Sequence, residues 1–177
     1  MNEETRTGKL KKAILAAAAA LCIAAVGGFL YWTTACPCER TPGFVLFGEQ
    51  STEQITDWSF ANQVPLCQIQ IYAGWRPHSI NLNCMATPEG DLYLSCSFCV
   101  QKYWASKVIG ESPGKLRLNG TVYPITLTRV MDEDKLDHIW RARVEKLQRF
   151  GGPGNPAPPP DAPRADGWWS FQVSSAI

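Results

Sequence analysis

The chain has 177 residues, a net charge of +1 at pH 7 and seven cysteines. Nucleic-acid partners require a concentrated basic face, so this balanced charge argues against a DNA- or RNA-binding protein. Beyond a first apolar segment, the remaining length suits one domain with a single hydrophobic core.

The first predicted element is an apolar segment, residues 13–35, which carries no charged side chain. About 20 helical residues cross the ~30 Å apolar core of a bilayer, so the segment is long enough to span it. Four basic residues precede it: Arg6, Lys9, Lys11 and Lys12. The positive-inside rule then predicts residues 1–12 as a cytoplasmic tail and the rest as extracytoplasmic, in a periplasm or outside the cell.

Two alternatives to a retained anchor remain for this segment. A signal peptide would be cut after the small residues at 33–35, and a lipoprotein signal would make Cys36 the acylated residue. Under all three interpretations the domain leaves the cytoplasm.

Residues 36–50 are rich in turn formers and are interpreted as a linker, and residues 51–177 form the predicted domain. Capping-box spacing of Ser51 and Gln54 predicts a short helix over 51–61. Alternating apolar and polar residues predict three strands within 66–98. A second short helix is expected at 101–109, and Asn119-Gly120 predicts a hairpin between strands at 115–118 and 121–130.

The clearest predicted helix covers residues 132–150. Apolar residues recur in it at helical spacing, acidic residues crowd its start and basic residues, Arg143 among them, crowd its end, as the macrodipole favours. A Pro/Gly-rich loop, 151–166, and a last strand, 168–174, follow, with Trp169, Phe171 and Val173 on one face. This order predicts a mainly β fold with peripheral helices (α+β), in which an antiparallel barrel hides the sheet edges.

Six cysteines lie outside the apolar segment: Cys36, Cys38, Cys67, Cys84, Cys96 and Cys99. Strand parity places three of them, at 67, 84 and 96, on the apolar faces of their strands. That placement favours buried thiols, or one cross-strand disulfide such as Cys67–Cys84, over a metal site. The CxxC spacing of Cys96 and Cys99 leaves a metal or thiol-redox site as an alternative. Sequence alone does not choose the connectivity.

The segments 79–87, 90–95, 114–125, 130–132 and 169–173, in this order, resemble those of the pyridoxamine 5′-phosphate oxidase-like family. The resemblance spans about residues 52–174. It implies a split β-barrel, FMN or a related flavin or deazaflavin as cofactor, and a homodimer. Ser95 followed by Lys102 is similar to the serine and basic residue that hold a cofactor phosphate in many members.

The candidate cofactor-binding residues are Ser95, Ser97, Lys102 and Trp104. The two hydroxyls and the ammonium are able to hold a phosphate through charge-assisted hydrogen bonds, and Trp104 with Tyr103 is able to stack on an isoalloxazine ring. A solvated lysine and aromatic core or dimer contacts are the structural alternatives. No catalytic residue is identified, because no Ser-His-Asp arrangement, phosphate-cradling glycine loop or HExxH string occurs.

Three hypotheses of function follow. The first is a membrane-anchored extracytoplasmic split-barrel protein that binds a flavin-type cofactor and acts as an oxidoreductase. The second is a non-catalytic extracytoplasmic binding or interaction module that has lost the cofactor, with the proline-rich loop as a polyproline II surface. The third is a cysteine-based metal or redox protein.

Overall fold

The computed structural model describes residues 3–177, with side chains from Arg6 onward. Helix α1 runs from Glu3 to Ala35. Its part Arg6–Ala35 is long and apolar enough to cross a membrane: the most apolar window has a mean hydropathy of 2.4, and none of that window is buried against the rest of the chain. A retained anchor and a signal sequence share these properties.

The remainder of the chain builds one sheet and one further long helix. Within the described residues the strands are β1 (Glu49–Gln50), β2 (Cys67–Ala73), β3 (Arg76–Ala86), β4 (Leu92–Cys96), β5 (Glu111–Leu118), β6 (Thr121–Arg129) and β7 (Trp169–Ser175). They lie in the order β1-β6-β5-β2-β3-β4-β7, and an additional β6–β7 pairing closes the sheet. Strands β2 to β7 are antiparallel neighbours, and β1 pairs in parallel with β6. The predicted antiparallel barrel is therefore confirmed.

Two local signals produce the structure expected of them. The turn between β5 and β6 has φ +49° at Asn119 and +87° at Gly120, the left-handed values that a type I′ hairpin requires. Helix α2 (Glu133–Phe150) begins after Asp132, whose carboxylate accepts a hydrogen bond of 2.7 Å from the Lys135 amide. An N-cap of this kind satisfies one of the unpaired amides at the start of the helix.

Neither of the two predicted short helices is an α-helix in the structure. Residues 51–58 are not helical, because the Ser51 amide donates to the Val122 carbonyl (2.9 Å) and keeps the chain extended beside β6. A 3₁₀ turn, Ser59–Gln63, follows. Residues 99–107 form two 3₁₀ turns, Cys99–Gln101 and Ala105–Lys107, in which most backbone hydrogen bonds reach back three residues.

Strand β4 is buried on both faces, and this position creates the candidate site. One face, with Leu92, Leu94 and Cys96, belongs to the barrel core. The other carries Tyr93, which belongs to the cluster formed with α2, and Ser95. Helix α2 thus covers the outside of the barrel, and a polar residue on that face of β4 is enclosed between strand and helix.

Candidate functional site

A cleft opens where the last turns of α2 and the loop after it meet β3 and β4. One part has a volume of about 750 Å³ and is lined by Ser95, Ser97, Lys102 and Arg143, among others. A second part, of about 550 Å³, is lined by His78, Tyr103 and Trp104, among others. The two parts share seven lining residues: Glu39, Arg40, Asn81, Leu82, Cys96, Lys102 and Gly154. They therefore form one continuous groove, called the cleft below.

Three of the residues singled out from the sequence lie in the larger part of the cleft. Ser95 is 1% exposed, and its hydroxyl accepts a hydrogen bond of 2.9 Å from Nη1 of Arg143. Ser97 and Lys102 are exposed at the rim. The structure thus brings two hydroxyls and one ammonium to the same cavity wall.

Trp104 is buried, whereas a residue that stacks on a ligand needs an exposed ring face. It is 4% exposed, and its ring packs against Phe171 with the centroids 4.9 Å apart. Its neighbour Tyr103 is 54% exposed, lies against His78 at 5.2 Å, and also lines the cleft. Of these two neighbours, Tyr103 exposes its ring to the cleft, while Trp104 supports the wall from the core side.

Arg143 is the residue of the cleft that the sequence analysis missed as a site residue. It is 6% exposed, donates to the Ser95 hydroxyl, and donates from Nη2 to Oδ1 of Asn155 at 3.3 Å. Its Nε is buried and has no hydrogen-bond partner among the residues that the structure describes. No carboxylate within that range pairs with it. Burial lowers the pKa of Arg143 to about 10, so the guanidinium is still charged at neutral pH.

A signal for this placement was present in the sequence. Arg143 follows Ile139 by four residues and Trp140 by three, and both of those are buried. Side chains at these spacings share one helix face, so Arg143 falls on the apolar face of α2. A basic residue on that face is expected to be buried, whereas one that only complements the helix macrodipole is expected to be exposed.

The loop after α2 completes the cleft and holds the arginine in place. Nδ2 of Asn155 donates to Oδ1 of Asn83 on β3 at 2.7 Å. Asn155 also exchanges backbone hydrogen bonds with Gly152, of 2.9 and 3.1 Å. The amide that accepts from Arg143 is thus fixed by the barrel and by its own loop.

His78 adds a neutral polar group to the smaller part of the cleft. Burial, and then the charge of Arg76, lower the pKa of His78 below its usual value. Its imidazole is therefore uncharged at pH 7 and is able both to donate and to accept a hydrogen bond.

The end of α1 is joined to the rim of the cleft. Nε1 of Trp32 donates to the Pro42 carbonyl at 2.9 Å, and Nδ2 of Asn81 donates to the Glu39 carbonyl at 2.8 Å. Gly43 exchanges backbone hydrogen bonds with Ser79 on β3. Residues 36–43, interpreted from the sequence as part of a linker, therefore lie against the barrel.

The six cysteines outside α1 form three pairs at disulfide distance: Cys36–Cys38, Cys67–Cys84 and Cys96–Cys99. Cys67–Cys84, the cross-strand pair that strand parity favoured beside buried free thiols, lies at disulfide distance, and both members are fully buried. Among residues 3–177, no group of three or more His, Cys, Asp or Glu side chains is placed to hold a metal ion. Cys96 borders the cleft from the barrel side.

Comparison with known proteins gives likenesses in fold. No family model and no curated protein matches the chain. A pyridoxamine 5′-phosphate oxidase-like protein from Listeria innocua is similar over 66% of this chain and 88% of its own, with 9% identity and a TM-score of 0.45. A NimC/NimA family protein from Clostridium acetobutylicum is similar over 64% of this chain and 76% of its own, with 13% identity and a TM-score of 0.40. The strand order and the β6–β7 closure show that this chain has the split-barrel fold implied by the sequence resemblance to the pyridoxamine 5′-phosphate oxidase-like proteins.

Proposed function

We propose that this protein is a membrane-anchored, extracytoplasmic split-barrel oxidoreductase that binds a flavin-type cofactor, FMN or a related flavin or deazaflavin, in the cleft. The observation that carries the proposal is the convergence of Ser95, Ser97 and Lys102 on one cavity beside an exposed tyrosine ring. Both parts of the cleft have volumes within the range of about 300–1,000 Å³ that is usual for ligand sites.

The donor set fits the group. Ser95, Ser97 and Lys102 present hydroxyl and ammonium donors, which bind phosphate oxygens through charge-assisted hydrogen bonds. Tyr103 offers a ring face at the other part of the cleft, and His78 offers a neutral imidazole beside it. A bound flavin supplies hydride and electron transfer. The residues of this chain bind the cofactor, orient it, and cover it on the barrel side.

The helix and the cysteines together support the proposed extracytoplasmic location. Arg6 and three lysines precede the apolar part of α1, and this arrangement favours a cytoplasmic N-terminus. Three cysteine pairs at disulfide distance suit an oxidising compartment, since thiols are kept reduced in the cytosol. Treatment of oriented membrane vesicles with a protease tests this: cleavage of residues 36–177 from the outer side alone is expected, and cleavage from the cytoplasmic side alone contradicts it.

A homodimer belongs to the same proposal, because the family resemblance implies it. The mass of the purified full chain in detergent, measured by light scattering, tests this part. A monomer at micromolar concentration contradicts it.

A non-catalytic interaction module is the second candidate, and one observation favours it. The proline-rich loop is fixed on α2 through Trp140, whose Nε1 donates to the Ala162 carbonyl at 2.8 Å, and through Arg164, which pairs with Asp137 at 2.8 Å. Several of its prolines remain exposed: Pro153, Pro156, Pro159, Pro160 and Pro163. A fixed proline-rich surface is suited to recognition by aromatic grooves.

The test is an absorption spectrum of the full chain purified from membranes, with mass spectrometry of the small molecules released on denaturation. The proposal predicts a flavin band in the blue region, either on isolation or after addition of FMN. Lys102→Ala is expected to lower the bound fraction. Lys115→Ala, outside the cleft, is the matched control and is expected to retain it. A folded, colourless chain that takes up no flavin refutes the cofactor and leaves the interaction module.

A further inference from the structure

One end of the barrel carries an unusual concentration of exposed apolar side chains. The five most exposed large apolar side chains outside α1, among the residues that the structure describes, are Trp75, Phe98, Val100, Ile109 and Met131. Each lies just beyond the end of β2, β4 or β6, or just before β5. In an antiparallel barrel these strand ends lie on the same side, so all five side chains occupy one end. Single exposed apolar side chains are ordinary, but a concentration of them marks an interaction surface.

Two of these side chains protrude furthest from the barrel and are neighbours in the sheet. Trp75, at the tip of the β2–β3 hairpin, is 89% exposed, and Ile109 is 80% exposed. Ile109 precedes β5, which begins beside the end of β2, where Gly114 is paired with Ile71. The hairpin tip and the residues before β5 therefore form one edge of this barrel end.

Helix α1 is joined to the barrel close to the same end. Gly43, shortly after α1, exchanges backbone hydrogen bonds of 2.8 and 3.2 Å with Ser79 on β3. Ser79 lies three residues from the start of β3, a distance of about 10 Å along a strand. Nε1 of Trp32, in the last turns of α1, donates to the Pro42 carbonyl at 2.9 Å. The end of α1 and the first half of β3 are thus held together.

The order of these contacts gives the direction of the membrane relative to β3. The Glu39 carbonyl, beyond the end of α1, accepts a hydrogen bond of 2.8 Å from Nδ2 of Asn81. Trp32, inside α1, is joined instead to the segment that pairs with Ser79. Going from residue 39 back into α1 therefore follows β3 from Asn81 through Ser79 toward Trp75. The hairpin tip points to the side from which α1 enters.

Both elements have the composition of a membrane interface. Aromatic residues collect near the end of α1 that meets the barrel: Phe29, Tyr31 and Trp32. Tryptophan and tyrosine are enriched at the headgroup level of bilayers. On the barrel, Trp75 and Ile109 are accompanied by the exposed cations Arg76 and Lys107. Basic side chains near a bilayer surface are attracted by anionic headgroups.

The charges at this end decide which part of it meets the bilayer. Residues 72–76 and 97–111 carry three exposed cations and one carboxylate: Arg76, Lys102, Lys107 and Glu111. Exposed acidic residues concentrate on the other side, at the start of α2 and before β7: Asp132, Glu133, Asp134 and Asp166. An anionic surface therefore favours contact through the side with Trp75 and Ile109, and Met131 stays outside it.

We propose that Trp75, Arg76, Val100, Lys107 and Ile109, called the docking surface below, rest in the headgroup region of the phospholipid bilayer that α1 spans. The proposal rests on the retained anchor, which is part of the proposed function, and not on any cofactor. Apolar faces at such interfaces enter by about 5–10 Å. Docking to this depth gives the barrel a fixed orientation on the membrane, in addition to the tether that α1 provides.

The experiment measures the depth of the docking surface with a nitroxide label on the full chain. The chain is placed in nanodiscs of phosphatidylcholine with a minor fraction of phosphatidylglycerol. Cys22→Ala removes the free thiol, and Ile109→Cys carries the label. Phe47→Cys, an exposed apolar position at the opposite end of the barrel, is the control label. Oxygen concentrates in the bilayer and a nickel chelate stays in water, so the ratio of their collision rates with the label reports depth.

The label at 109 is expected to show an oxygen-to-nickel ratio several times that of the label at 47. Trp75→Glu is expected to lower the ratio at 109 toward that at 47, because a carboxylate at the hairpin tip is repelled by anionic headgroups. Phe47→Glu, the matched charge control, is expected to leave the ratio at 109 unchanged. If Trp75→Glu does not fold, Val100→Glu, on the loop after β4, is expected to act in the same direction.

The possible failures are distinguishable. A label at 109 that is as accessible to nickel as the label at 47, on a chain that alkaline carbonate does not extract from membranes, overturns the inference and leaves the anchor standing. A label at 109 that neither reagent reaches also overturns it, because a protein surface such as a second copy then covers the position. Equal effects of Trp75→Glu and Phe47→Glu overturn it too.

The proposed function is tested separately on the same sample. A chain that takes up no flavin but shows the expected ratio at 109 refutes the cofactor and supports the docking surface. Extraction of the chain by alkaline carbonate refutes the anchor, and the inference with it.

Discussion

Lys146 is a second buried cation of α2, and its environment makes the stability of the barrel depend on pH. It is 6% exposed, and its ammonium donates to the Ala61 carbonyl at 2.7 Å and to the Cys84 carbonyl. No carboxylate among the described residues pairs with it. Burial, and then the charge of Arg149, lower the pKa of Lys146 to about 8 from an ordinary 10.5.

The sign and size of the effect follow from proton linkage. Between pH 8 and pH 10.5 the unfolded chain keeps the proton that the folded chain has released, so the free energy of unfolding rises with pH. Below pH 8 both states are protonated, and the contribution of Lys146 is constant. With pKa values of about 8 and 10.5, the rise between pH 7.5 and 9.5 is about 2 kcal/mol.

Urea unfolding of the full chain in detergent, followed by tryptophan fluorescence at several pH values from 7.5 to 9.5, measures this rise. Lys146→Met is expected to lose the slope, because the titrating group is gone. Lys107→Met, at an exposed position, is expected to retain it. A wild-type stability that is flat over this window, or a slope that survives in Lys146→Met, refutes the account of a buried ammonium.

Three further predictions concern the barrel and the wall of the cleft. Replacing both Cys67 and Cys84 by Ala removes a link between residues 17 apart, and urea unfolding is expected to show a loss of about 3 kcal/mol; a loss below about 1 kcal/mol contradicts a formed disulfide. Asp132→Ala removes the N-cap of α2 and is expected to lower the free energy of unfolding by about 1 kcal/mol, whereas no change by the same assay would mean that the cap is not formed. Trp104→Ala is expected to destabilise the fold by about 3–5 kcal/mol, as for other core aromatics. Tyr103→Ala is expected to leave the stability nearly unchanged and to weaken flavin binding in a fluorescence titration. A larger loss of stability in Tyr103→Ala than in Trp104→Ala contradicts their placement.

Local sequence patterns were sufficient to predict most of the strands and the helix α2. Strands β2 to β4 follow from alternation, the β5–β6 hairpin from Asn119-Gly120, and α2 from helical periodicity with Asp132 at its start. These signals depend on residues close together in the chain. The β6–β7 pairing that closes the barrel joins residues about 40 to 50 apart, such as Leu127 and Val173, and no local pattern predicts this pairing.

The errors arose where tertiary contacts decide the outcome. Ser51 and Gln54 have the spacing of a capping box, but the backbone amide of Ser51 donates a hydrogen bond to the Val122 carbonyl on β6. Trp104 has the chemistry of a stacking residue, but its ring packs in the barrel core, the structural alternative that the sequence left open. Arg143 has the position expected of a helix-end charge, but its contacts with Ser95 and Asn155 lie 48 and 12 residues away in sequence. Sequence spacing alone does not reveal such partners.

The measurement that tests the central claim most directly is an experimental structure of the full chain with FMN. The account predicts FMN in the cleft, with its phosphate within hydrogen-bond distance of Ser95, Ser97 and Lys102 and its ring system beside Tyr103. FMN bound elsewhere on the chain, or a cleft that stays empty at saturating FMN, would contradict it.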